Sequence, residues 1–224
     1  MPASRKQAKA PDRRSVLTAE AVDHLRAADP AMRALIDEIG VDGLGDPRRG
    51  RRPGDRYGAL IRSIVGQQLS TRSAMAIYGR LIDRYGGRTP TPEEVLAEDP
   101  EELRVAVGLS HAKVNYLRSL AEHVVDGSLA LDRLDELPDE EVTAELVAVK
   151  GIGPWSADLF LMFQLQRPDV LPVGDLGIRR AVMVRYGLEA MPTPAEAEQI
   201  GEPWRPYRTV ASLFLWRSLH NAPL

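Results

Sequence analysis

A glycine- and proline-rich loop, Leu171-Pro-Val-Gly-Asp175, follows a double-glycine turn, Lys150-Gly-Ile-Gly-Pro-Trp155, further along the same chain. A carboxylate delivered this way can stabilise a developing positive charge or accept a proton. By local rules alone Asp175 is simply the N-cap of the helix that follows it. The turn offers different chemistry. Gly151 stops the preceding helix where positive φ is needed, Gly153 lets the backbone turn again, and Pro154 opens the next helix with φ already set. Ile152 is an apolar plug beneath the bend. Backbone N–H groups left facing outward at a helix N-terminus suit a phosphate. The three residues Gly-Ile-Gly also occur in ordinary αα-turns, so it is the longer run Leu146-Val-Ala-Val-Lys-Gly-Ile-Gly-Pro-Trp-Ser-Ala157 that carries the signal.

Other chemistries are excluded or unsupported. With no cysteine there are no disulfides, thiolate zinc sites or iron–sulfur clusters. His24, His111, His123 and His220 show no paired metal-ligand spacing. The net charge of −3 argues against a globally phosphate-binding surface. Basic residues are nevertheless bunched: Arg5, Lys6, Lys9, Arg13 and Arg14 in one segment, Arg48, Arg49, Arg51, Arg52 and Arg56 in another. Many acids lie between Glu93 and Glu145, so a local basic face is compatible with the acidic total. No apolar stretch follows the basic N-terminus, so no signal peptide is expected. The runs Leu159–Phe163 and Val210–Trp216 are far too short to span a bilayer.

The elements that must position these groups read as helices. Residues 1–15 lack apolar periodicity and are expected to form a basic, disordered tail. From Thr18 the helical spacing begins with Val22, Leu25, Met32, Leu35, Ile36 and Ile39, restarted at Asp29-Pro30. After a Gly-, Pro- and Arg-rich loop, an apolar helix from Tyr57 runs into Gln67-Gln-Leu-Ser70. A further helix carries Ala74, Ile77, Tyr78, Leu81 and Ile82 on one face. Thr91-Pro-Glu-Glu94 and Thr193-Pro-Ala-Glu196 are capping boxes, Asp99-Pro-Glu-Glu102 repeats the device, and Gly108 supplies a stop. Helices are predicted over Ala112–Val125, Asp139–Val149, Pro154–Gln166, Ile178–Tyr186 and Tyr207–Leu219. Alternating strand patterns are nearly absent. The chain reads as all-α, with roughly ten short helices and no internal repeat.

Taken together, five segments in order resemble the helix-hairpin-helix–GPD DNA glycosylases, most closely the bacterial DNA-3-methyladenine glycosylase II (AlkA) type. They are Ile64-Val-Gly-Gln-Gln-Leu-Ser70, Val107-Gly-Leu-Ser-His-Ala-Lys113, the hairpin, the Asp175 loop, and Trp204-Arg-Pro-Tyr-Arg208 followed by Trp216. Larger members carry an N-terminal α/β domain, which is expected to be missing here. The resemblance implies two helical subdomains with a cleft between them. Residues 16–55 would pack with 173–224 as one subdomain. Residues 56–172 would form the other, with the helix-hairpin-helix at about 139–166.

It also implies roles. Asp175 would be the catalytic carboxylate, stabilising an oxocarbenium-like sugar as an alkylated base leaves. Strand-cutting relatives use a lysine two residues past the second hairpin glycine; here Trp155 stands there and Lys150 does not match, so base removal without lyase activity is expected. Trp155 and Trp216 would line the base pocket, unless each is core packing; Leu159 and Leu176 replace two other family aromatics, which suggests a more open pocket. Gly151, Ile152, Gly153 and Ser156 would bind DNA. Gln68, with Leu69 beside it, would fill the hole left by a flipped base, the alternative being that Gln67 and Gln68 cap the preceding helix. No cofactor is required, though Na+ or K+ is implied on the carbonyls of Val147, Val149 and Ile152. The expected partner of this cytoplasmic, nucleoid-associated chain is damaged double-stranded DNA, with no membrane involved and the protein monomeric. Other readings are a glycosylase for deaminated, oxidised or mismatched bases, or a non-catalytic helix-hairpin-helix DNA-binding module.

Overall fold

The computed structural model describes residues 16–44 and 55–219. The expected basic tail and most of the arginine-rich loop lie outside the described residues. These form twelve α-helices and three short 3-10 turns, with no strand among them. The helices fall into two packed groups. One comprises α1 (Ala19–Ala28), α2 (Pro30–Ile39), α10 (Leu176–Arg185), α11 (Pro194–Ile200) and α12 (Arg208–Ser218); α12 packs on both α2 and α10. The other comprises α3 (Arg56–Gly66), α4 (Thr71–Arg84), α5 (Pro92–Ala97), α6 (Pro100–Val107), α7 (His111–Val125), α8 (Asp139–Ala148) and α9 (Pro154–Phe163). Within it α7 packs on α3, α5 and α6, while α9 packs on α8 and α3.

Local chemistry sets most boundaries. Thr91 and Thr193 make complete capping boxes with Glu94 and Glu196, and Gly108 ends α6 in the left-handed region. The helix expected from Ile178 starts two residues earlier, at Leu176, because Asp175 accepts Ile178 N at 2.9 Å and so caps a full first turn. The helix expected to reach Gln166 ends at Phe163. Gln166 takes a positive φ, and Arg167 N turns back to Leu161 O at 2.9 Å.

One buried carboxylate ties the first helices to the last. Asp29 ends α1 and caps α2, its Oδ1 accepting Ala31 N at 2.8 Å and Met32 N at 3.2 Å. Its Oδ2 accepts Trp204 Nε1 at 2.8 Å and the Tyr186 hydroxyl. Burial opposes ionisation, but the hydrogen bonds from Tyr186, Trp204, Met32 and Ala31 outweigh it and hold the carboxyl below its ordinary range. Arg56, from the edge of the arginine-rich segment, is engaged internally by the Leu131 carbonyl and the Asp135 carboxylate.

Candidate active site

Asp175 sits where the two helix groups meet, and both of its oxygens are occupied. Oδ1 accepts Ile178 N at 2.9 Å and Trp216 Nε1 at 3.1 Å, while Oδ2 accepts Trp155 Nε1 at 2.6 Å. The two indoles come from different groups, Trp155 from the first turn of α9 and Trp216 from the last turns of α12. Their surroundings differ. Trp216 is 2% exposed and stacks on Phe163, with ring centroids 6.4 Å apart and planes 24° apart, whereas Trp155 is 40% exposed. One tryptophan is thus a buried wall and the other an open lip.

Gly177 makes this close approach feasible, since a Cβ there would lie 2.9 Å from Asp175 Oδ1 and 3.5 Å from the Trp216 ring. Leu176 beside the acid is exposed, and Leu159 is half-buried one turn along α9 from Trp155.

The hairpin is built as the sequence suggests on one side and differently on the other. Gly151 takes φ +91°, and a Cβ there would fall 2.2 Å from the Tyr116 ring; the aromatic leaves no room for a side chain. Ile152 is buried, and its N–H closes the turn on Val149 O at 3.0 Å. Gly153, expected to let the backbone turn again, is extended at φ −105°, and a Cβ on it would meet nothing within 4 Å. The protein itself does not require a glycine there. Nothing caps the first turn of α9 with a side chain. Ser156 itself is buried beneath that turn.

The Gln-Gln turn lies against this hairpin. Gln67 Nε2 donates to Gly151 O at 2.7 Å. Gln67 is the C-cap of α3, its N–H on Ile64 O at 3.4 Å, while its side chain turns to the hairpin; Lys113 Nζ donates to Val65 O at 2.7 Å and Gln67 O at 2.8 Å. Burial lowers the Lys113 pKa. Gln68 takes φ +57° and is exposed, as is Leu69. Lys113 enters the sequence reading only as the end of the Val107–Lys113 segment, without a role, and Tyr116 not at all, although Ser110-His-Ala-Lys113 opens a capped helix whose i, i+3 spacing places both on one face. Asp158 carries no signal in the sequence; burial alone pushes its carboxyl up to about 7.

The carboxylate, the two indoles and the hairpin are therefore contiguous, because Trp155 follows directly from the bend and reaches Asp175. No described helix is long and apolar enough to cross a membrane. Residues 61–206 match the family described as HhH-GPD superfamily base excision DNA repair protein. The chain is 34% identical over 197 residues to DNA-3-methyladenine glycosylase 1 of Schizosaccharomyces pombe, covering 87% of this chain and 85% of that protein. Its fold matches the solved structure of the Schizosaccharomyces pombe 3-methyladenine DNA glycosylase in complex with abasic DNA, with a TM-score of 0.78 and 32% identity, over 90% of this chain and 97% of that one. It also matches a DNA-3-methyladenine glycosidase from Bacillus halodurans, with a TM-score of 0.69 and 36% identity, over 85% and 89%. The chain belongs to the HhH-GPD superfamily of base excision DNA repair proteins.

Proposed function

We propose that this chain is a monofunctional glycosylase that, as a monomer in the cytoplasm, extrudes alkylated bases from double-stranded DNA and hydrolyses the N-glycosidic bond. The observation that carries the reading is the Asp175 carboxylate gripped by the N–H groups of Trp155 and Trp216 at 2.6 and 3.1 Å. Three N–H donors fix its orientation, and a group held this way needs no reorganisation when charge appears beside it. N-alkylation makes the purine cationic, so the base departs neutral with the bonding pair of the glycosidic bond. Asp175 stabilises the oxocarbenium-like sugar, water adds its oxygen to C1′, and the water's proton is released to solvent. Trp155, the exposed lip, offers a π face to the cationic base.

The remaining groups serve DNA. The uncapped N–H groups after Gly153 bind a phosphate, and the open space around Gly153 lets the strand approach the backbone. Gln68 and Leu69 fill the vacated stack. Trp155 at the position of the lyase amine cannot form a Schiff base, so the strand stays intact. For Na+ or K+ the hairpin carbonyls fit: Val149 O accepts only the Ile152 turn bond, and no described turn bond ends on the oxygens of Val147 or Ile152. A cation there would add positive charge beside the phosphate. With Leu159 and Leu176 in place of aromatics, the pocket accepts several alkylated bases.

The test is product analysis on methylated duplex DNA. Chromatography should show free alkylated bases and an unbroken strand until alkali is added. No released base would sink the enzymatic reading, and strand scission without alkali would sink the monofunctional one.

A further inference from the structure

Three side chains on one stripe of α7 hold both DNA-facing turns. Lys113 binds the Val65 and Gln67 carbonyls, at 2.7 and 2.8 Å. One turn later the Tyr116 ring fills the space where any side chain of Gly151 would stand. One turn further Ser119 Oγ accepts Lys150 N at 3.2 Å. Residues three apart lie along one face of a helix, so these contacts share a single rigid rod. The two turns are also tied directly, by Gln67 Nε2 on Gly151 O at 2.7 Å. Because a carbonyl can only accept, the amide orientation there is fixed.

Within the proposed glycosylase reading, on which this rests, we infer that α7 is a spacer coupling the hairpin to the Gln67–Ser70 turn, with Lys113 and Gln67 as positioning residues for nucleotide extrusion. Opening a base pair requires work against stacking and pairing. A side chain entering the duplex accomplishes this only if its turn is braced against the part that holds the backbone. Otherwise the turn itself yields. The Gln67–Ser70 turn is shaped for such loading: Leu69 N closes on Gly66 O at 3.2 Å, and Gln68 is held in the left-handed region that non-glycine residues seldom enter. Lys113 holds the carbonyl immediately before that residue. Neither Lys113 nor Gln67 touches the Asp175 site, so each acts on extrusion rather than on bond cleavage.

The test uses Gln67→Leu and Lys113→Met in the full chain, with two readouts. The first needs no chemistry: a duplex with a tetrahydrofuran abasic site and 2-aminopurine opposite reports entry of the turn into the stack. Both variants should bind this duplex within about threefold of wild type, yet give a fluorescence change reduced about fivefold or more. The second is single-turnover release of 7-methylguanine, either paired with cytosine or facing an abasic site. Release from the paired site should fall about tenfold or more, and from the unpaired site no more than about threefold. A wild-type fluorescence change in both variants, or equal losses on the two substrates, would overturn the coupling. If the wild-type chain releases no base, the glycosylase reading falls while the fluorescence readout still judges the coupling.

Discussion

The Trp155 indole and the Asp175 carboxylate meet at 2.6 Å, across the boundary between the two helix groups. An exposed indole and a carboxylate are thereby joined by a direct hydrogen bond. The acid's other oxygen is held from the interior by Trp216 and the α10 backbone.

Replacing Asp175 with Asn should leave the fold and DNA binding intact while lowering base release about a hundredfold or more. Asparagine caps a helix as well as aspartate does, so Ile178 keeps its acceptor and the melting temperature should stay close to that of wild type. Single-turnover release from methylated duplex measures the effect. Near-wild-type release would refute the assignment.

Trp155 contributes both a ring and an N–H. Trp155→Phe keeps a π face and should retain more activity on cationic bases than Trp155→Leu, by a factor of about 3 to 30. On a neutral base such as hypoxanthine the two variants should differ less. Equal behaviour of Phe and Leu on both substrates would show that stacking on the charged base is not what this residue provides.

Gly177→Ala separates the site from the scaffold. The substitution favours an α-helix by up to about 1 kcal/mol, but its Cβ would sit 2.9 Å from Asp175 Oδ1. The carboxylate must shift, and base release should drop about tenfold with no loss of melting temperature. Unaltered kinetics would mean that the acid tolerates displacement.

Asp158 should make stability depend on pH. Its folded carboxyl titrates at about 7, pushed up by burial, against about 3.9 in an unfolded chain. Below about 4 both states carry the proton. Between the two values only the folded state does, so stability falls as pH rises and is lowest once the folded group ionises. At about 1.4 kcal/mol per unit the ceiling is about 4 kcal/mol, and partial solvent access brings it to about 2. Asp158→Asn should therefore gain melting temperature relative to wild type at pH 8 but not at pH 4. The same difference at both pH values would contradict this.

What could be read from the sequence was local or carried by ordered motifs. Thr91, Thr193 and Gly108 act within a turn of themselves, and each behaves as its neighbours dictate. The Asp175 loop was legible as a cap from its own residues and as a candidate acid from the order of segments around it. What stayed hidden depends on distant partners: Gln67 lies 84 residues from Gly151, and Trp216 lies 41 from Asp175. No periodicity encodes such contacts, because rotamers and packing choose them after the helices assemble. Gly153 shows the converse, a glycine whose reason is not conformational.

The inner grip on the acid comes from α12, far along the chain from the helix it docks on. Trp216 stands on α12, which docks on α2 near the start of the chain, and Asp29 fastens the same region to Trp204. A change that loosens α12 from α2 is therefore felt at the carboxylate, although α8 and α9, which pack on each other, need not move.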